Sequence, residues 1–140
     1  MKKNALDSLV FLARESEIAA LMCSFDWAAC PLGPPQKWSP ALVTLTNNIL
    51  ASRVPMMLNW GPHLLSIYND AYRLQFLGTK HPAAFCQPFS EVWPEVWPEM
   101  GDVIERGWAG QTTYFENAPF TLQRGGYKEQ IWVTFSHSPV

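Results

Sequence analysis

The sequence lacks the concentrated positive charge that marks a nucleic-acid-binding surface. Ten Lys and Arg residues stand against twelve Asp and Glu in 140 residues, giving a formal net charge of −2. The basic residues are scattered, and only Lys2 and Lys3 are adjacent. Because proteins that bind nucleic acid usually gather Lys and Arg on one face, we do not expect a nucleic-acid partner.

Long hydrophobic runs are missing as well. No stretch approaches the roughly 18 apolar residues that a membrane helix needs. The first residues faintly resemble a signal peptide, but Asp7 interrupts their apolar run, and Arg14 and Glu15 follow it. We therefore interpret residues 5–24 as an amphipathic helix and expect no membrane association.

Cysteine and histidine are few, and their spacing favours neither disulfides nor metal sites. The cysteines are odd in number and form no C-x-x-C pair, which favours buried thiols in a reducing, cytoplasmic setting. No histidine has a ligand-type partner three or four residues away, although His81 is the best candidate for an axial haem ligand. These residues are Cys23, Cys30, Cys86, His63, His81 and His137.

Motifs of enzyme chemistry are also absent. The sequence contains no glycine-rich phosphate loop, no G-x-S-x-G and no H-E-x-x-H. Glu95 and Glu99 could form a carboxylate pair for acid–base chemistry, but their neighbours predict an exposed loop and a helix start. The sequence therefore predicts a protein that is not an enzyme.

Apolar residues, in contrast, are plentiful. Hydrophobic residues make up 48% of the chain and include seven Trp and eight Phe, enough to bury a core without metals or disulfides. Ser39 is a good N-cap and Pro40 suits the first helical position, so a helix begins there and ends before Pro55. The runs 56–60 and 64–68 flank a glycine–proline turn and predict a β-hairpin.

Proline and capping signals organise the middle of the chain. Asn69 or Asp70 can cap a short helix over 70–77, which ends at Gly78. Pro82, Pro88 and Pro94, followed directly by Pro98, then keep residues 79–97 irregular, with short helical turns at most.

The last third of the chain contains one more helix and one more hairpin. A helix over 98–109 turns Ile104 and Trp108 inward by its periodicity. Strands at 113–123 and 127–137 are joined by a Gly-Gly turn. The predicted fold class is α+β, with an antiparallel sheet and helices packed on one face of it.

Several short motifs follow one another over residues 20–140. They are Asp26-Trp27, Pro31-Leu32-Gly33-Pro34-Pro35, Trp38, Pro55-Met56, Trp60-Gly61-Pro62, Tyr68-Asn69-Asp70-Ala71-Tyr72, Leu77-Gly78, His81-Pro82, Pro88-Phe89, Glu91-Val92-Trp93-Pro94-Glu95, Gly126-Tyr127, Thr134-Phe135-Ser136 and Ser138-Pro139-Val140. In this order they resemble PAS domains of the type found N-terminal in bacterial sensor histidine kinases and diguanylate cyclases.

The resemblance implies a fold and a function. It implies a PAS fold over residues 25–140, with five antiparallel strands, preceded by an N-terminal helical extension over 1–24. It also implies a sensory role in signal transduction: binding a small ligand or a protein partner and relaying a signal to a kinase or cyclase output. The alternative is a ligand-free dimerisation or interaction module with a packed core.

Two departures from the family pattern bear on cofactors and on the sheet. Cys86 stands where relatives often have glycine, and it does not match the cysteine of flavin-binding relatives, whose place is taken by Phe89. The cofactor therefore stays unknown, since neither flavin nor haem has motif support. The chain also ends before the final PAS strand, so we expect that strand to be absent and its place to be filled by rearranged pairing or by a partner chain.

A ligand pocket, if present, would lie between the sheet and the 98–109 helix. Such pockets are lined mainly by apolar and aromatic groups. Trp93 and Trp97, in the repeated Val-Trp-Pro-Glu segment, could wall it or simply fill the core. The candidate lining residues are Phe76, Trp93, Trp97, Ile104, Trp108, Phe120, Leu122, Val133 and Phe135.

The sequence also predicts self-association. Leu6, Leu9 and Val10 give the N-terminal helix more apolar surface than an isolated helix tolerates in water. We therefore expect a homodimer that forms through this helix or through an open sheet edge.

Overall fold

The computed structural model describes residues 16–139 and confirms the α+β class. Its helices are α1 (Glu17–Ser24), α2 (Pro40–Ala51), α3 (Asp70–Tyr72), α4 (Phe89–Val92) and α5 (Trp97–Trp108). Its strands are β1 (Met57–Trp60), β2 (Leu65–Tyr68), β3 (Thr113–Gln123) and β4 (Lys128–His137). A π-helical turn, Arg73–Leu77, follows α3, and 3₁₀ turns span Trp27–Ala29, Pro35–Lys37 and Gly78–Lys80.

The chain folds as two compact units, Met1–Pro88 and Phe89–Val140. The division into 1–24 and 25–140 stays a prediction, and most of the expected N-terminal helix lies outside the described residues. Within residues 16–139, no helix combines the length and apolarity needed to cross a membrane.

In the first unit, capping and packing place α2 as predicted. The Ser39 hydroxyl accepts a hydrogen bond from the Leu42 amide at 3.2 Å, and Pro40 is the first helical residue. Leu42 and Ile49 are buried, and α2 packs against both β1 and β2. The helix therefore covers the first hairpin.

The first hairpin pairs β1 with β2 antiparallel, as predicted, with Met57 opposite Tyr68. Every residue of β2 is buried. The other edge of β2 is taken by the loop that returns after α3: the Ser66 amide donates to the Gln87 carbonyl at 2.9 Å, and the Cys86 amide donates to the Ser66 carbonyl at 2.8 Å.

Asn69, directly after β2, ties four segments together. Its Oδ1 accepts hydrogen bonds from the amides of Met56 and Tyr72, so it caps α3 as predicted. Its Nδ2 donates to the carbonyls of Ile49 at 2.9 Å and Val54 at 2.8 Å, and more weakly to that of Ser52. The side chain is completely buried, so its polar atoms depend on these partners.

Asp70 holds the start of α1. Its carboxylate accepts hydrogen bonds from the amides of Glu17 and Ile18 and from the Ser16 hydroxyl. The Ser16 hydroxyl in turn accepts from the Ala19 amide and caps α1. A carboxylate at the positive end of a helix is favourable, so this contact anchors the helix to the end of β2.

In the second unit, β3 and β4 form the second predicted hairpin, and α5 packs against both strands. The pairing is interrupted between Phe115 and Ala118, where Asn117 adopts a positive φ of 49°. Gly107 faces the hairpin: a Cβ there would lie 2.7 Å from the His137 ring. The missing side chain therefore allows helix and strand to approach closely.

Two expectations about the fold are wrong. The strands form two separate two-stranded sheets, β1–β2 and β3–β4, and not a single sheet. Residues 86–88 take the second edge of β2, so no further strand can pair on that side. The three cysteines are not all thiols either, because Cys30 and Cys86 form a disulfide while Cys23 is exposed on α1. Spacing along the chain could not indicate this pairing, since folding brings the two residues together.

Candidate functional site

Four of the predicted pocket residues share one face of the β3–β4 hairpin. Strand alternation places Phe120, Leu122, Val133 and Phe135 on this face, and Leu122 is buried while the other three are half-buried. We call it the inner face; its apolar residues are Phe115, Ala118, Phe120, Leu122, Ile131, Val133 and Phe135. The alternation also includes Phe115, which the pocket prediction missed and whose ring stacks on Phe135 at 5.1 Å.

Helix α5 presents only one of its two predicted pocket residues inward. Ile104 is buried, whereas Trp108 is 65% exposed, so its inward orientation is wrong. The buried residues of α5 are Val103, Ile104 and Gly107. At about 100° per residue, Trp108 lies roughly 90° from the centre of that face. Its i+4 spacing from Ile104 is therefore not enough to bury it.

The two tryptophans of the repeated segment differ in environment. Trp93 is buried, while Trp97 begins α5 half-buried, with its ring 6.0 Å from that of Phe89. Between them, Glu95 accepts a hydrogen bond from the Gln123 amide at 2.8 Å. This carboxylate thus fastens the segment to the end of β3. Phe76 belongs to the first unit, where its ring lies 5.2 Å from Tyr72.

The opposite face of the hairpin, which we call the outer face, exposes large aromatic side chains. Tyr114 of β3 is 61% exposed and Trp132 of β4 is 63% exposed, and Tyr127 in the connecting turn is similarly open. Aromatic side chains of this kind are enriched where proteins bind one another.

The two free edges of this hairpin are not equivalent. Along β3, Pro119 has no amide hydrogen, and the bulge at Asn117 interrupts the pairing. β4 contains neither proline nor glycine nor a bulge. Within residues 16–139 no strand pairs with its outer edge, so β4 offers an unblocked row of backbone donors and acceptors.

His137, near one end of the hairpin, acts mainly by packing. Burial lowers the pKa of His137 below its ordinary value near 6.5, so the ring is neutral at neutral pH. Its Nδ1 and the Oγ1 of the opposite residue, Thr113, are both buried, and neither has a hydrogen-bond partner among the described residues. The contact with Gly107 is therefore mainly steric.

In the first unit, a second histidine is paired with a tyrosine. The Tyr68 hydroxyl lies 2.6 Å from Nδ1 of His81. Burial raises the pKa of Tyr68 well above its ordinary value, whereas burial and then Arg73 lower the pKa of His81. The phenol is protonated at neutral pH, and it donates this hydrogen bond when the imidazole carries its proton on Nε2. Among residues 16–139 no three His, Cys, Asp or Glu side chains gather as a metal site.

Residues that carry the PAS resemblance have evident structural tasks. Trp27 and Trp38 donate their indole N–H groups to the carbonyls of Met22 and Gly33, and Asn69 links four segments of the first unit. The β3–β4 hairpin, with its aromatic outer face and the open β4 edge, is the candidate functional site. Comparison of the chain with protein-family models, with curated proteins and with solved structures gives no match.

Proposed function

We propose that this chain is a non-enzymatic signalling module of the PAS type that acts through protein contact. Its contact surface is the outer edge of β4, and its partner there is a second copy of the chain. The resemblance supports the sensory role and a kinase or cyclase output, whereas the cytoplasmic location rests on the low number and the spacing of the cysteines. The observation that carries the proposed contact is the outer edge of β4, with which no strand pairs among residues 16–139 and which lies beside the exposed aromatic ring of Trp132.

The difference between the two strand edges favours β4. Unpaired strand edges readily add a strand from another chain, and proteins suppress this with proline, bulges or charge. β3 has two of these features, Pro119 and the Asn117 bulge, while β4 has none in its middle. Its only Lys and Glu, Lys128 and Glu129, lie at its first two positions.

This charge distribution favours an antiparallel second copy as the occupant. Antiparallel pairing of β4 with itself sends the two Lys128–Glu129 ends to opposite ends of the interface, whereas parallel pairing would set like charges side by side. It also extends the inner face, because Ile131, Val133 and Phe135 of both copies would then line one four-stranded sheet. Cross-strand apolar pairs of this type stabilise sheets.

The test compares two exposed aromatic residues on the outer face. Trp132 is near the middle of β4, so Trp132→Lys would bring two added positive charges close together in an antiparallel β4–β4 interface. Tyr114→Lys makes a similar change on β3, away from that interface. Light scattering over a concentration series should show a dimer for the wild type and for Tyr114→Lys. The dissociation constant of the Trp132→Lys dimer should be higher by about tenfold or more.

Two results would overturn the proposal. One is a wild-type chain that remains monomeric at all concentrations, and the other is equal weakening by both substitutions. Native mass spectrometry and a visible spectrum of the purified protein address ligand sensing. A monomer that retains a stoichiometric small molecule would favour a ligand sensor over the contact module.

A further inference from the structure

Two cysteines that are 56 residues apart in the sequence are joined in the first unit. Cys30 ends the 3₁₀ turn Trp27–Ala29, and Cys86 lies in the loop that returns along β2. Their Cα atoms are 6.3 Å apart, within the range of about 4.4–6.8 Å that disulfides span. Both are buried, with 6% of Cys30 and 2% of Cys86 exposed.

Cys86 occupies a backbone position that suits glycine better than cysteine. Its φ is +62°, in the left-handed region that residues with a Cβ seldom adopt. The hydrogen bond from its own amide to Ser66 and the one from Ser66 to Gln87 hold the backbone there. A side chain in this position costs conformational energy, so we expect the sulfur to contribute something that glycine could not.

The disulfide joins the ends of an aromatic cluster. Next to Cys86, the ring of Phe85 lies 5.1 Å from that of Phe25 and 6.1 Å from that of Trp27. Trp27 is in turn hydrogen-bonded to the Met22 carbonyl of α1. The bond therefore fixes the segment that follows α1 to the loop on β2, and opening it would leave the rings to hold these segments together.

We propose that Cys30 and Cys86 form a reversible thiol–disulfide site that responds to low-molecular-weight thiols and disulfides. Oxidation locks the segment around Trp27 onto the β2 loop, and reduction leaves that segment held there by the aromatic contacts alone. A reducing, cytoplasmic setting is part of the proposed function, and disulfides in such a compartment are usually transient or redox-sensing. Cys86 also carries its side chain at a backbone position that favours glycine. Cys23, exposed on α1, is not part of the pair.

The exchange balances with glutathione as the co-reactant. One cysteine thiolate attacks oxidised glutathione, which forms a mixed disulfide and releases one glutathione thiolate. The second cysteine thiolate attacks the protein sulfur of that mixed disulfide, so the Cys30–Cys86 bond forms and the second glutathione leaves. The two cysteine thiols lose two protons and two electrons, and glutathione takes up both as two thiols. Reduction by two glutathione thiols is the reverse.

Burial of both sulfurs sets the route by which exchange occurs. An external thiol cannot reach either sulfur while the loop is closed, so exchange must follow local opening of the segments around them. Low concentrations of urea, below the unfolding transition, should therefore speed the exchange.

The experiment equilibrates the 140-residue protein in glutathione buffers that range from reduced to oxidised. Alkylation and intact mass then count the thiols, and thermal melts are recorded in the same buffers. The wild type should pass from three alkylated cysteines to one, and its melting temperature should rise by roughly 10 °C in oxidised buffer. Hydrogen exchange around residues 25–38 should slow with oxidation.

Three variants serve as controls. Cys23→Ser should keep the melting shift, with the thiol count falling from two to none. Cys30→Ser should lose the shift, and so should Cys86→Gly, which suits the left-handed backbone and gives a second reduced-state mimic if Cys30→Ser fails to fold. Three results would each overturn the proposal: a disulfide that survives reduced glutathione in the native protein, a thiol count that never changes, and equal melting temperatures in all buffers.

Discussion

Removing the side chain of Asn69 should destabilise the first unit far more than the loss of a helix cap. Asn69→Ala deletes five hydrogen bonds, two accepted by Oδ1 and three donated by Nδ2. The Asn69 side chain is fully buried, so its backbone partners have restricted access to replacement water. Each lost bond costs about 0.5–1.5 kcal/mol and an N-cap alone about 1 kcal/mol. Allowing for the weaker Ser52 contact, we expect a total loss of about 3–5 kcal/mol.

Asn69→Asp distinguishes the hydrogen bonds that Oδ1 of Asn69 accepts from those that its Nδ2 donates. Aspartate keeps an acceptor for the amides of Met56 and Tyr72, and it caps helices as well as asparagine does. It cannot donate to the carbonyls of Ile49 and Val54 while ionised, and it brings a negative charge towards them. At neutral pH this variant should therefore be at least as unstable as Asn69→Ala.

The pH dependence of that variant has a definite sign. Burial against carbonyl oxygens raises the pKa of a carboxyl group in the folded state. The destabilisation is then full above the folded pKa and is relieved as the pH falls towards the unfolded value near 4. Protonation also restores one donor, so the stability of Asn69→Asp should recover in acid relative to Asn69→Ala.

Urea denaturation followed by circular dichroism measures these differences in the free energy of unfolding. If Asn69→Ala loses only about 1 kcal/mol, and Asn69→Asp loses nothing, the side chain is only a helix cap. The links to Ile49 and Val54 would then contribute no net stability.

Two further predictions concern the second unit. Ile104→Asp should lower the free energy of unfolding by about 3 kcal/mol or more, or prevent folding, because it buries an unpaired charge. Trp108→Asp, on the exposed side of α5, should lower it by less than about 1 kcal/mol. Equal unfolding curves of the two variants in urea would show that the buried face of α5 is wrongly assigned. Because burial lowers the pKa of His137 in the folded state, the stability it contributes is present above the unfolded value near 6.5 and is lost as the pH falls through the folded pKa. The melting temperature of the wild type should therefore drop between about pH 7 and pH 5. The drop should be smaller in His137→Phe, which keeps a ring against Gly107 but cannot titrate. An identical drop in both proteins would contradict a buried neutral His137.

Local signals in the sequence predict the elements of this fold well. Ser39 and Pro40 define the start of α2 through contacts within one turn. Alternation over 131–136 predicts the strand that the structure has as β4, because side chains of a strand alternate between faces. Asn69 was predicted as a cap for the same local reason. Its bonds to Ile49 and Val54 were not, because they join residues 15 or more positions away.

The same limit explains what the sequence misses in the sheet and in the site. Whether β1–β2 and β3–β4 join depends on what occupies each strand edge, and residues 86–88 reach β2 only through the fold. No rule of spacing along the chain predicts the Cys30–Cys86 disulfide, because only the fold brings the two cysteines together. Trp108 shows a different limit: periodicity gives the helix face only approximately, and a residue at its margin can lie on either side.

The residues that carry the PAS resemblance and those that carry the proposed contact are different residues. Asn69, Trp27 and Trp38 act through buried hydrogen bonds within the first unit, whereas Trp132 and Tyr114 are exposed aromatics outside the matching motifs. Asn69, Trp27 and Trp38 thus stabilise the first unit, while the proposed contact depends on exposed side chains that can be substituted without disturbing these bonds. Substitutions should separate the two: Asn69→Ala should lower the free energy of unfolding of the monomer, and Trp132→Lys should weaken the dimer while leaving the monomer's unfolding nearly unchanged. A Trp132→Lys protein whose monomer unfolds as readily as that of Asn69→Ala would show that the outer face belongs to the core, and the aromatic surface would lose its role as a contact.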